Sequence, residues 1–208
     1  MVRIDAFGVL AGNRIRGIKV IMLGWKELED KCTACMKCDL GRTRTNIVIE
    51  RGSRTASLML IGEGPGKQED EQGKPFVGAA GQLLDLLLSG LMFDEDEYYI
   101  CNVVKCRPPS NRTPTEDEAL TCLPWLRNQV ALIKPRIMVC MGSTAMKYII
   151  DKDAKITQIR GQWIERKGFW IMPTFHPAAL LRDGSKKSLL FEDMKKVKAK
   201  LSEIDADT

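Results

Sequence analysis

Histidine is almost missing from this chain: its 208 residues include one, His176. A zinc site built from several imidazoles of the same chain is therefore excluded. Long apolar runs are missing too. No stretch approaches the ~18 apolar residues of a membrane-spanning helix. The first residues are interrupted by Arg3, Asp5, Arg14, Arg16 and Lys19, so they lack the continuous apolar segment of a secretory signal. Internal repeats and low-complexity tracts are also absent. These absences place the chain in the cytoplasm, where disulfides are rare. Its seven cysteines then read as metal ligands and buried thiols.

What is present suits a globular domain. The hydrophobic share of 44% and charged share of 28% are those of a soluble fold. Residues 1–24 show no clean period and read as an N-terminal extension, leaving one domain over 25–204. The net charge of +5 permits a polyanionic partner without requiring one. The lysines between Lys186 and Lys200 read as one solvated helix face.

Short apolar runs closed by turn residues alternate with helical stretches. Leu58–Ile61, Tyr98–Val104, Ile137–Met141 and Phe169–Met172 read as buried strands. Between and after them, Ala80–Leu88, Thr115–Ile133, Ser143–Ile150 and Ser185–Leu201 read as helices. Thr115 is placed to cap its helix, with Glu116, Asp117 and Glu118 in the first turn, and Pro124 is placed to kink it. Gly142-Ser143-Thr144 reads as a second capping sequence. This alternation predicts a parallel sheet with helices on both faces, and ligands at the carboxyl ends of its strands.

The unusual residues gather at those ends. Gly62-Glu63-Gly64-Pro65-Gly66 follows the first strand and lets backbone approach a ligand closely. It is neither a Walker loop nor a dinucleotide fingerprint. Phe76 lies in the Gly/Pro-rich loop 73–78, off any periodic apolar face; it serves either the core or as a stacking platform for a planar base. Asn102 is out of character in a central strand, and its amide matches the O4 and N3–H edge of uracil. His176, between a strand and Pro177, can donate to an oxygen gaining negative charge or act as acid or base. Ala178–Arg182 reads equally as a helix start packing inward or as an apolar wedge with a phosphate-binding arginine. Among the cysteines, Cys35 and Cys38 form a Cys-x2-Cys pair with Cys106 and Cys122 as distant partners. Spacing leaves zinc and an iron–sulfur cluster open. Cys32 could extend the pair to a Cys-x2-Cys-x2-Cys run. Cys101 and Cys140 look like small core residues.

Taken together, Cys35–Leu40, GEGPGKQEDEQGKPFVGAAGQLL from Gly62, NVVKCRPPSNRTP from Asn102 and TFHPAALLR from Thr174 resemble the family 4 uracil-DNA glycosylases, the iron–sulfur type common in prokaryotes. The resemblance covers most of the chain after Gly24. It implies a three-layer α/β/α sandwich with a short central parallel sheet, and a [4Fe–4S] cluster on Cys35, Cys38, Cys106 and Cys122, with Cys32 a bystander. It implies uracil stacked on Phe76, read by Asn102 and touched by the backbone of Glu63 and Gly64. His176 would stabilise the O2 oxyanion and Glu69 would exclude the thymine methyl. Leu180, Leu181 and Arg182 would fill the gap left by the flipped nucleotide, and Arg107, Arg112 and Ser143 complete the DNA-facing set. The partner implied is uracil-containing DNA, single- or double-stranded, met by a monomer at the nucleoid.

Two departures stand out. Family 1 enzymes carry an aspartate in the first loop to orient water, where this chain has Gly64; Glu63 or Asn111 is the candidate replacement. Some relatives trap DNA covalently through an extra loop histidine, which this chain lacks. Two rival readings remain: a zinc-stabilised nucleotide-binding or hydrolytic Rossmann-like protein, and a non-catalytic DNA-binding module of glycosylase descent.

Overall fold

The computed structural model describes residues 23–166 and 168–206. The expected extension therefore lies outside the described residues, except for Leu23 and Gly24. Those two are already tied to the fold: the Leu23 N–H donates to the Asn128 side chain at 3.0 Å, and the Gly24 carbonyl accepts from Leu28.

The chain runs α1 (Trp25–Thr33), α2 (Leu40–Thr43), β1 (Arg51–Gly52), β2 (Leu58–Gly62), α3 (Lys67–Gln72), α4 (Ala79–Gly90) and β3 (Tyr98–Asn102). It continues through α5 (Glu116–Ile133), β4 (Ile137–Met141), α6 (Ser143–Ile149), α7 (Ile156–Ile159), β5 (Ile164–Arg166), β6 (Phe169–Thr174), α8 (Pro177–Arg182) and α9 (Lys187–Ala206). The sheet order is β1-β3-β2-β4-β6-β5. The four inner strands pair in parallel and are the four apolar runs of the sequence. The two edge strands pair antiparallel, so the short parallel sheet expected from the sequence is the centre of a mixed six-stranded one. Both edge strands are short and partly exposed, and so carry no apolar run to betray them.

Strand side chains alternate between two cores, which is what makes the architecture three-layered. Met59, Ile61, Tyr99, Cys101, Met138 and Cys140 face α1, α5 and α6. Leu58, Leu60, Tyr98, Ile100, Ile137 and Val139 face α4, α8 and α9. Cys101 and Cys140 are fully buried core residues, as their strand positions suggest.

The caps divide. Thr115 accepts from the Glu118 N–H while Glu118 reaches back to the Thr115 N–H, a reciprocal capping box on α5. Gly142 precedes α6 with no side-chain cap, so the expected Gly-Ser-Thr cap is not formed and Ser143 stands exposed. Pro124, the residue placed to kink α5, does not interrupt it: the helix runs through that position. Pro124 sits on the solvent face, where the Leu120 carbonyl it leaves without a helical donor can meet water.

Candidate active site

The carboxyl ends of β2, β3, β4 and β6 bring the unusual residues together. Gly62 ends β2 and Asn102 ends β3, paired side by side. A Cβ on Gly62 would come within 2.5 Å of Asn102 Oδ1 and 2.6 Å of Phe76 Cζ. Glycine is required there because the amide and the ring close over the backbone. Phe76 is buried and has φ 55°. Its left-handed backbone is held by Arg51, whose guanidinium donates to the Phe76 carbonyl at 2.7 Å while also pairing with Asp85. The Phe76 and His176 rings lie 5.3 Å apart between centroids and 30° from parallel. Gly142, with φ 90°, lets His176 pack close: a Cβ there would lie 3.0 Å from His176 Cβ.

Asn102 is 2% exposed, and its Oδ1 is buried without a hydrogen-bond partner. Buried polar atoms are rarely left so. The orphan is an acceptor beside an aromatic ring at the ligand-binding edge of the sheet.

His176 caps α8, and its Nδ1 accepts the Ala178 N–H at 3.1 Å. This assigns the ring proton to Nε2, the free nitrogen of a neutral imidazole. Burial, and then Arg182 nearby, lower the His176 pKa to about 4, against an opposing pull from Glu69. At neutral pH the ring is therefore an uncharged donor.

Glu69 cross-braces the two loops. One carboxylate oxygen accepts from the Val77 and Gly78 N–H groups at 3.0 and 2.8 Å, and the other from Gly66 at 3.1 Å. Glu63 Oε2 accepts from the Thr144 hydroxyl at the start of α6. Gly64 has no room for the missing aspartate: a Cβ would meet the buried Val104 Cγ2 at 2.6 Å. Asn111 is exposed, has φ 55°, and accepts from Arg107 Nε at 2.8 Å. Arg112 pairs through two hydrogen bonds, 2.8 and 2.7 Å, with Glu118, whose carboxyl it holds below the usual range.

The 180–182 segment is short helix, not loop. Leu180 is 5% exposed and packs with the α4–α9 core, whereas Leu181 is 56% exposed. A helix turns adjacent side chains to different sides, so of the two leucines only Leu181 stands free. Arg182 is exposed.

Cys35, Cys38, Cys106 and Cys122 line one cavity on the α1–α5 side of the sheet, with Cys32 beside them. Cys32 is buried on α1, so it is a neighbour of the other four rather than remote. Two of the sulfurs carry donors: Arg44 Nη1 to Cys106 Sγ at 3.1 Å and the Lys105 N–H to Cys122 Sγ at 3.3 Å. Burial pushes the Cys122 thiol up to about 12, against the opposing pull of Lys105. Among the described residues, no three side chains of the His, Cys, Asp and Glu types converge closely enough to hold a single metal ion.

Sequence reasoning did not single out Thr144, Lys105 or Arg44 for these contacts. Only Lys105 left a trace, as the one charged residue in a 98–106 stretch that is otherwise apolar but for Asn102.

The description "Uracil DNA glycosylase superfamily" belongs to a family model that matches residues 49–201. The chain is 44% identical over 173 residues to a type-4 uracil-DNA glycosylase of Thermotoga maritima, covering 81% of this chain and 88% of that protein. It is 41% identical over 182 residues to one of Sulfurisphaera tokodaii, covering 83% of each, and 38% identical over 172 residues to one of Archaeoglobus fulgidus, covering 79% and 86%. The matched span runs from β1 into α9, and holds Asn102, Phe76 and His176 with the glycines packed against them. This chain belongs to the uracil DNA glycosylase superfamily.

Proposed function

We propose that the chain is a uracil-DNA glycosylase that flips uracil out of DNA, hydrolyses its N-glycosidic bond, and leaves free uracil and an abasic site. The unpartnered Asn102 Oδ1 carries this reading. An N–H donor must satisfy it, and uracil N3–H provides one while its O4 accepts from the same amide. Phe76 supplies the stacking face. The backbone of Glu63 and Gly64 lies along the same edge.

Bond cleavage leaves positive charge on the sugar and negative charge on the base. His176 Nε2–H donates to O2 as that charge grows, and the ring needs no prior proton transfer because it is already neutral. Glu63 is the better of the two candidates for orienting water. Thr144 anchors one of its oxygens, while the Asn111 amide oxygen is taken by Arg107. Glu69 would exclude the thymine methyl indirectly, by fixing Val77 and Gly78 at the pocket wall. Leu181 would enter the stack, with Arg182, Arg107, Arg112 and Ser143 facing the phosphates.

The donor set fits a [4Fe–4S] cluster on Cys35, Cys38, Cys106 and Cys122. Four sulfurs around a shared cavity, two of them accepting N–H donors, suit thiolate ligation. When bound, the cluster would cross-link the α1–α2 segment, the loop after β3 and α5. Hydrolysis moves no electrons, so no step is assigned to it. The enzyme would act as a cytoplasmic, nucleoid-associated monomer on single- or double-stranded DNA.

The test is incubation with an oligonucleotide carrying one uracil, followed by alkali. A break at the uracil position and none at thymine is expected; intact strands would refute the reading. Iron and sulfide in the purified protein, rather than zinc, would set aside the zinc-stabilised alternative.

A further inference from the structure

Lys105 is the most enclosed charged side chain at the site. It is 1% exposed, one residue before Cys106 and three after Asn102. Its ammonium donates to the Asn102 carbonyl at 2.7 Å. Its own backbone N–H donates to Cys122 Sγ at 3.3 Å. It lines the cysteine cavity with Cys32, Cys35, Cys38, Cys106 and Cys122. Among the described residues, no carboxylate forms an ion pair with it.

A cation buried without a carboxylate is costly unless another negative group faces it. The cysteine cavity is where such charge can lie. Four thiolates around a cluster core of two positive charges leave the site net negative, and the Lys105 ammonium is beside it. The other end of the same side chain's reach is the carbonyl of the uracil-reading residue.

We propose that Lys105 is a positioning residue that ties the uracil-reading end of β3 to the cluster, its ammonium holding the Asn102 backbone while serving as the cluster's counter-cation. The inference rests on the cluster reading above. It makes the cluster more than a distant staple: its charge keeps a lysine buried, and that lysine keeps Asn102 in register with the base. The charge of Lys105 also stabilises the more negative, reduced form of the cluster, so the residue sets part of the cluster's potential.

The experiment uses the iron-loaded holoenzyme, purified anaerobically, with Lys105→Met and Lys105→Arg alongside the parent. Reduction potential, iron content and kcat/KM for uracil release are measured on each. Lys105→Met is expected to bind iron, to have a cluster potential below the parent's, and to lose about tenfold in kcat/KM, the scale of one charge-assisted hydrogen bond. Lys105→Arg should keep a potential near the parent's, because charge is retained, while losing several-fold in kcat/KM as the larger planar group displaces the Asn102 carbonyl. Iron-loaded Lys105→Met with parental potential and parental kcat/KM would overturn the proposal. If Lys105→Met does not fold, Lys105→Arg decides: a shifted potential with parental kcat/KM contradicts it. A parent protein without iron sinks the cluster reading itself, an outcome distinct from either.

Discussion

A single nitrogen shows how finely the pocket is specified. The Ala178 N–H occupies His176 Nδ1, so the ring proton sits on Nε2, and the pKa near 4 keeps the ring neutral. Because that pKa is lowered, the neutral donor is present throughout the neutral range and is lost only as pH falls through about 4. Uracil release should therefore be flat between pH 8 and roughly pH 5 as far as His176 is concerned, and fall below that; an acid limb centred near the ordinary histidine pKa would contradict the assignment. Replacing His176 with alanine should slow release by about 10²–10³-fold, the loss typical of one oxyanion donor. The same lone histidine predicts that no covalent DNA adduct survives a denaturing gel; a persistent shifted band would refute this. At Glu63, single-turnover rates test the water assignment. Glu63→Gln should slow release and Asn111→Ala should not; full rate in both would leave neither with the role.

This scale was also where the sequence was most legible. Asn102 and His176 broke local rules, one as an amide in an apolar strand and the other as a lone imidazole before proline. Such breaks stay visible because neither residue is the type that its local element calls for. Thr144 and Arg44 broke no rule visible in one dimension, and Lys105 only one, as a charge in the strand-end stretch that also holds Asn102. Their roles come from partners 81, 62 and 17 positions away, respectively Glu63, Cys106 and Cys122.

Among elements, the four inner strands were readable because both their faces are buried, which writes continuous apolar runs. The edge strands, partly exposed, left no such mark. Helix α9 was read as a solvated lysine face, and its exposed side is one. Its other side carries Asp193, fully buried, which accepts from the Thr174 hydroxyl at 2.6 Å and from Arg160 at 2.5 and 3.0 Å. Thr174 ends β6 two residues before His176, so α9 anchors that strand end through a charge that composition hid. Asp193→Ala strips both partners of their acceptor in a dry setting. It should cost about 3 kcal/mol of stability, as breaking a buried pair does, measured by denaturant unfolding; a midpoint within error of the parent's would show that the network bears no stability. Helix α8 resolved an ambiguity in the sequence. It is both a helix packing inward through Leu180 and a presenter of Leu181, so Leu181→Ala should weaken release from duplex more than from single strands, where no stack needs to be filled.

For the molecule as a whole, the sheet edge holds the pocket on one side of β3's end and the cysteine cavity on the other, with Lys105 between them. Of the five cysteines on that cavity, four are assigned to the cluster. Cys32→Ala should therefore retain iron and the brown colour while Cys35→Ala loses both; loss in Cys32→Ala would move the ligand set toward the N-terminal run. The account as a whole stands on the claim that Asn102's unpartnered oxygen reads the flipped base. The most direct measurement is single-turnover uracil release from one duplex at saturating protein, parent against Asn102→Ala. The account predicts a loss of about 10²-fold or more in the Asn102→Ala protein, with iron content unchanged. A rate within twofold of the parent's would contradict it.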